Sequence, residues 1–392
     1  MIFNCKLTQK INAKKIDNRY KTIKNLNSMK LKSILALLAL SLMTMGATAQ
    51  EGIKYVDAST LNICGYTQKS DKNAFSRFDP TQYPMPNKHT VTLGKYSTGV
   101  YVMFSTDSKT LWAKWKWEKR SMGNNMTPIA QRGLDLYIEK DGKWFFVGVG
   151  RPSGDQNKCE ATWKIAKNMP EGTKKCMLYL PIWCEVTELQ LGIDEGTSIA
   201  PVESPFSYKI LTHGSSVTHG ASASRPGMTY TARMSRYTGF DFINFGFSGE
   251  CKLQPEFAKI IAETEADAYM FDAFSNPSPK EIRERLEPFI KTITEAHPDK
   301  PFIFLQTHMR EDTIFDEKWL AFNLERRATV RELMPQMAKK YKNVYFLNAE
   351  NITSSDYDGT VDGAHPTDLG FDNFIKTYLP RVQKILKKYG IK

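Results

Sequence analysis

No CxxC pair and no Cys/His spacing of a standard zinc site occurs in this 392-residue chain, which leaves no motif for a zinc centre or a dithiol redox site. No cysteine follows Ala47-Thr48-Ala49, so a lipoprotein-type attachment site is missing. The apolar run 34–45 falls short of the about 20 residues that a comfortable membrane span needs. Excess positive charge is also scarcer than the total suggests. The chain has 54 Lys+Arg against 42 Asp+Glu, but residues 1–49 hold 9 of the basic and 1 of the acidic residues. The remainder carries a net of only +4, and no clustered basic patch with interleaved aromatics remains to argue for nucleic-acid binding.

What is present at the start of the chain reads as an export signal. Met29-Lys30-Leu31-Lys32, the apolar run and Ala47-Thr48-Ala49 are a basic region, an apolar region and a cleavage site in the right order. Residues 29–49 are therefore expected to be a cleaved signal peptide, leaving no stable membrane span. Residues 1–28 are Lys-rich, lack an apolar period and read as a non-native leader, with Met29 the true start. The expected location is periplasmic or extracellular, in a bacterium. Cysteines 64, 159, 176, 184 and 251 follow, an odd number. One or two disulfides are permissible outside the cytoplasm, and buried thiols are equally so.

The rest divides into two halves of different period. Over 50–205 the pattern is that of strands. Leu111, Ala113, Trp115 and Trp117 alternate with Lys114 and Lys116, and Asp141-Gly142 is a hairpin signal between 134–138 and 144–148. This predicts an antiparallel β-sandwich or jelly roll. Over 206–392, short apolar runs at 208–212, 242–245, 268–271, 301–305 and 344–347 alternate with helical stretches near 227–238, 253–264, 279–296, 317–341 and 367–388. Five buried strands separated by helices imply a parallel sheet covered on both faces, with its site at the carboxyl ends of the strands. Segment 201–206, with Pro201 and Pro205, is the expected linker. Oligomeric state is not legible.

Four features fall at those strand ends. The first run leads into His213-Gly214-Ser215-Ser216-Val217-Thr218, where Gly214 permits a sharp turn and Ser216 begins the next element. A serine hydroxyl needs an adjacent base to act as a nucleophile. Asp362-Gly363-Ala364-His365-Pro366, just before the last helix, offers that base and a carboxylate to orient it. Acyl transfer also needs donors for a developing oxyanion. Gly249, after the second strand, offers an unobstructed N–H, and Asn276, after the third, a side-chain amide.

These blocks, in this order, resemble the SGNH (GDSL-type) hydrolases. The resemblance implies a flavodoxin-like αβα fold, Ser216 as nucleophile and His365 with Asp362 as the acid/base pair. It also implies an oxyanion hole of the Ser216 N–H, the Gly249 N–H and the Asn276 side chain. One departure stands out, since Ser215 occupies the place of the usual Asp and must alter the loop's hydrogen bonding. In the first half, Gly133-Leu134-Asp135-Leu136-Tyr137 is similar to the GxDLY motif of a domain preceding some bacterial SGNH hydrolases, as are Leu178-Tyr179-Leu180-Pro181 and the run after it. Such two-domain proteins resemble carbohydrate esterases, which implies an acylated oligo- or polysaccharide as substrate and no metal or organic cofactor.

Competing readings attach to several residues. His213, His219 and His308 match no standard metal spacing and are expected to be ordinary hydrogen-bonded histidines. Gln306 and His308, after the fourth strand, are candidates for lining the pocket. Asp135 is expected to bond backbone at the domain interface, and Trp115 and Trp117 to pack in the core rather than to stack sugars. The expected activity is O-deacylation, with acetate the expected leaving acid. The alternatives are a lipid or thioester hydrolase with the same triad, and a carbohydrate-binding protein without catalysis.

Overall fold

The structure, a computed structural model, describes residues 52–155, 157–350 and 352–392. The expected leader and signal peptide lie outside the described residues. Among the described residues the first half holds ten strands: β1 (Ile53–Asp57), β2 (Asn62–Cys64), β3 (Tyr101–Thr106), β4 (Leu111–Trp117), β5 (Leu134–Lys140), β6 (Lys143–Gly150), β7 (Glu160–Ala166), β8 (Lys174–Tyr179), β9 (Val186–Asp194) and β10 (Ile199–Pro201). Two short helices, α1 (Lys88–Gly94) and α2 (Pro128–Arg132), interrupt them.

The strands form two antiparallel sheets. One has the order β1-β9-β4-β7; the other has the order β10-β3-β8-β5-β6, with β2 added beside β3. In β4 the alternation read from sequence is realised: Leu111, Ala113, Trp115 and Trp117 are buried, while Lys114 and Lys116 are exposed. They meet Val102, Phe104, Leu136 and Leu178 of the other sheet in one sandwich core. Each Val, Leu or Phe of this set contributes about 1.5–3 kcal/mol by leaving water. Trp115 Nε1 donates to the Arg132 carbonyl at 2.8 Å, so its one polar atom is satisfied inside the core and stacks no sugar. The β5–β6 hairpin turns through Asp141 (φ 52°) and Gly142 (φ 73°), the pair of positive φ values that a two-residue turn of this hand demands.

The second half contains β11 (Lys209–Gly214), β12 (Asp241–Gly246), β13 (Ala268–Asp272), β14 (Phe302–Leu305) and β15 (Val344–Leu347). Its helices are α3 (Ser216–His219), α4 (Tyr230–Thr238), α5 (Pro255–Ala262), α6 (Pro279–Ala296), α7 (Glu317–Lys340) and α8 (Asp368–Lys388). The sheet is parallel throughout, in the order β12-β11-β13-β14-β15. Counting its strands along the chain gives 2-1-3-4-5, the flavodoxin-like order, whose crevice opens where the order reverses beside the first strand. Both faces are covered. Leu211, Ile243, Phe271 and Phe304 point at one core with Phe257, Leu286 and Phe289. Ile210, Phe242, Met270 and Ile303 point at the other with Met234, Phe374 and Tyr378. Period-two alternation thus survives in strands whose sequence reads as continuous apolar runs.

Helix α4 starts later than the sequence pattern suggests. Pro226–Met228 form a separate 3-10 turn, and Thr229 caps α4 by accepting the Ala232 N–H at 3.3 Å. Elements the pattern did not reveal are the short β1, β2, β10, α1 and α2 and the seven-residue β7.

Lys54–Lys392 form one compact unit, and the two halves share structure. Phe78, Leu93 and Tyr96, from the first half, belong to a core of the second. Asp135 of β5 is fully buried; it takes the Arg225 guanidinium at 2.7 Å and the Gly227 N–H at 2.8 Å. That is the backbone-binding interface role the sequence suggested. The five described cysteines form no disulfide, and four of them are buried. Among the described residues no helix is long and apolar enough to cross a membrane.

Candidate active site

Ser216 is the first residue of α3, directly beyond the carboxyl end of β11. Two glycines let that short helix sit so close to the sheet. Gly214 and Gly246 are register partners in β11 and β12, and a Cβ on Gly246 would stand 2.2 Å from the His219 nitrogen. Ser215, the departure from the family block, caps the helix: its Oγ accepts the Val217 N–H at 3.3 Å. Its own N–H goes to the Asp272 carbonyl at 3.3 Å. A local hydrogen bond from serine thus serves where an Asp would be usual.

The loop before α8 brings in the other partners. His365 Nε2 lies 2.9 Å from Ser216 Oγ, across 149 residues of chain. His365 Nδ1 lies 2.8 Å from Asp362 Oδ2. Asp362 Oδ1 also accepts the N–H groups of Ala364 and His365, at 3.1 and 2.9 Å, which folds the loop around the carboxylate. Burial works against the charged form of Asp362. Hydrogen bonds from the His365 ring, Asn125 and the His365 N–H outweigh it and hold the pKa at about 2. The carboxylate is therefore charged throughout the neutral range. With Nδ1–H directed to Asp362, Nε2 is free to accept the serine proton.

Asn276 and Gly249 occupy the loops after β13 and β12. Asn276 Oδ1 accepts the Cys251 N–H at 3.3 Å, which sets the orientation of the amide and ties the two loops together. Its Nδ2 is left without a protein partner among the described residues. Behind it, the buried Arg326 donates to the Ser275 carbonyl at 2.7 Å. Gly249 adopts φ +72° on an exposed turn, and the loop it belongs to begins with the Phe247 N–H donating to the Gly214 carbonyl at 2.8 Å. The loops carrying Ser216, Gly249 and Asn276 are thus hydrogen-bonded to one another at a single end of the sheet.

His213, His219 and His308, which match no metal spacing, each bond a different backbone carbonyl: His213 to Phe245 at 2.9 Å, His219 to Ile182 at 2.9 Å and His308 to Ala364 at 2.7 Å. Burial depresses His213 and His308 to about 4, so both are neutral. The pocket-lining expectation for Gln306 and His308 is corrected. Gln306 is 0% exposed and His308 4%, and the His308 Nε2–H instead supports the loop of Asp362 and His365 from behind. Both follow a strand end, but the chain there turns inward under that loop.

Sequence reasoning missed Asn125. This residue, from the loop between β4 and α2, donates Nδ2–H to Asp362 Oδ2 at 2.8 Å. No motif marks it, and only the fold brings it across 237 residues to the carboxylate.

A serine, an imidazole and a carboxylate in hydrogen-bonded series, at the carboxyl edge of a flavodoxin-like sheet, define an αβα hydrolase of the acyl-transfer type. The chain belongs to the GDSL-like lipase/acylhydrolase family. The model of that family matches residues 207–383, and the model described as the N-terminus of Esterase_SGNH_hydro-type matches residues 53–199. A crystal structure described as a GDSL-like lipase from Bacteroides ovatus is 40% identical; the match covers 86% of this chain and 98% of that one, with a TM-score of 0.82. The fold is also similar to a salicylyl-acyltransferase from a tetracycline biosynthetic pathway, at 20% identity, 86% and 96% coverage and a TM-score of 0.58. A family two carbohydrate esterase from Cellvibrio japonicus shares it at 13% identity, 86% and 98% coverage and a TM-score of 0.55. No curated protein matches the chain.

Proposed function

We propose that this hydrolase is an exported serine esterase that removes O-acyl groups, acetyl in the first instance, from carbohydrates. The observation that carries the reading is the unbroken series from Ser216 Oγ to His365 at 2.9 Å and from His365 to Asp362 at 2.8 Å. His365 takes the proton of Ser216 as the oxygen attacks the ester carbonyl. The N–H groups of Ser216 and Gly249 and the Nδ2 of Asn276 receive the oxyanion. His365 then passes its proton to the departing sugar oxygen, which leaves an acyl-serine. Water, deprotonated by the same imidazole, releases the carboxylic acid and restores the serine. Every proton moves through His365, and the residues so assigned need no metal or organic cofactor.

Two things favour a carbohydrate ester. Polar groups, Asn125 and Asp362, stand beside the His365 imidazole. The two-part fold is also one that family two carbohydrate esterases use, one of them in complex with cellohexaose. Export rests on the basic, apolar and small-residue order of 29–49.

The test is acetate release from a panel of acetylated plant and host polysaccharides and from p-nitrophenyl acetate. The expected result is turnover of at least one polysaccharide, abolished in Ser216→Ala at unchanged Tm. Activity retained by Ser216→Ala overturns the nucleophile. Turnover of long-chain acyl or thioester substrates alone overturns the carbohydrate assignment.

A further inference from the structure

We propose that Asn125, contributed by the β-sandwich half, is a positioning residue of the active site, whose side-chain amide holds Asp362, and through it His365, in the geometry that activates Ser216. The proposal rests on the Ser216–His365–Asp362 reading above and adds a component from outside the matched hydrolase segment.

The amide's orientation is unambiguous, because only its Nδ2 can face a carboxylate. Asp362 Oδ1 takes the Ala364 and His365 N–H groups, and Oδ2 takes the His365 ring and Asn125. With four donors the carboxylate is saturated. Remove Asn125 and one side of Oδ2 is open, on an Asp that is 36% exposed and so within reach of water. The carboxylate can then rotate, and the imidazole rotates with it. Asn125 Nδ2 also stands 3.3 Å from His365 Nδ1. Two donors so close are compatible because both point at Oδ2.

The amide is itself held in place. Gln131, 1% exposed, donates to the Gly123 and Met126 carbonyls at 3.0 and 2.9 Å and accepts the Gly123 N–H at 2.7 Å, which braces the loop on both sides of Asn125. The Asn125 carbonyl accepts from Ser222 Oγ at 2.9 Å, and Thr127 Oγ1 donates to the Ser224 carbonyl at 2.8 Å. Ser222 and Ser224 lie in the segment directly after α3. One loop of the β half thus grips both the segment that follows the nucleophile and the acid that orients the base. That gives the N-terminal half a part in the reaction besides packing.

The groups that face this pair set the electrostatics of the test. Arg310 interacts favourably with Asp362, Asp312 packs its Cβ against Gly363, and the neutral His308 lies under Ala364. None of them replaces the lost donor. Without Asn125 the carboxylate becomes more basic and pairs more strongly with the protonated form of the imidazole than with the neutral one. An aspartate at position 125 adds a second negative charge and extends that effect.

The experiment compares kcat, KM, the pH profile of kcat/KM and Tm for wild type, Asn125→Ala, Asn125→Ser and Asn125→Asp in the full chain, with p-nitrophenyl acetate. Asn125→Ala and Asn125→Ser are expected to lose roughly 10- to 100-fold in kcat, the kinetic equivalent of one hydrogen bond to a charged group. KM should stay within about twofold, and the acid limb of kcat/KM should move to higher pH, furthest in Asn125→Asp. An unchanged kcat and acid limb overturns the proposal, and so does a fall in Tm alone, which marks a structural contact. A rise in KM alone overturns it too, because it marks a substrate contact. If one variant does not fold, the other two are held to the same criteria. Activity surviving in Ser216→Ala signals instead that the triad itself is wrongly read.

Discussion

At the residue scale the active-site end of the sheet holds carboxylates of opposite character. Asp362, ringed by donors, stays charged. Asp272, 1% exposed at the end of β13, has little to offset its burial beyond the Thr218 hydroxyl at 3.4 Å, and its pKa is pushed up to about 7. Between the ordinary carboxylate value near ~3.9 and about 7, the folded protein keeps a proton that the unfolded chain releases, so this residue's contribution falls as pH rises through that window. A side-chain amide in its place cannot ionise. Asp272→Asn is therefore expected to match wild type in Tm near pH 4.5 and to exceed it increasingly up to pH 8. A constant Tm difference across a melting series from pH 4.5 to 8.5 would show that Asp272 is already charged in the native state. Such burial is invisible in sequence, where Asp272 and Asp362 each simply follow a strand or precede a helix. Ser216, Asp362 and His365 were legible because each sits in a compact block at an element boundary. Asn125 was not, because its role depends on a loop of another sheet.

At the scale of elements, the alternation of short apolar runs and helical stretches exposed all five strands of the parallel sheet and the long helices around it. The short elements escaped for a physical reason. β2 and β10 have three residues each, too few to show a period, and both lie beside β3. The element that matters most for function, α3, is a single turn of four residues. Its position comes from close packing and not from propensity. It rests on β12 where Gly246 leaves no side chain, with the His219 nitrogen 2.2 Å from where a Cβ would be. The neighbouring atoms are backbone and cannot swing aside. Gly246→Ala should therefore push α3, and Ser216 with it, away from the sheet. Overpacking of this kind costs about 1–3 kcal/mol, and because Ser216 must stay 2.9 Å from His365, kcat should fall by more than stability alone explains. Steady-state kinetics on folded Gly246→Ala at a temperature well below its Tm would decide. Wild-type kcat there would mean that the turn tolerates displacement.

At the scale of the whole molecule, the two family segments meet through buried polar contacts as well as through apolar packing. Arg77, fully buried, donates to the Leu93 carbonyl at 2.8 Å and reaches the Asn244 carbonyl at 3.4 Å, which joins the first half to β12. Asp135 is the more consequential link. Its carboxylate lies in the interior with Arg225, 20% exposed, at 2.7 Å and the Gly227 N–H at 2.8 Å, both from the segment between α3 and α4. Arg225 is further bracketed by the Tyr137 hydroxyl and the Phe146 ring, 4.0 Å from its centroid. Replacing a buried ion pair with apolar groups can be neutral, but removing one partner leaves the other charge stranded, at a cost of about 3–5 kcal/mol. Asp135→Ala strands the guanidinium and also orphans the Gly227 N–H. It is expected to lose at least ~3 kcal/mol in urea denaturation, seen as a lower midpoint at an unchanged slope. Asp135→Asn, which keeps an acceptor for Gly227, should lose less. Because Phe78, Leu93 and Tyr96 sit in a core of the hydrolase half, the transition should remain single, with tryptophan fluorescence and circular dichroism coinciding. Two separated transitions, or a loss below ~1 kcal/mol, would mean that the halves are stable modules and that Asp135 sits at a contact that holds nothing together.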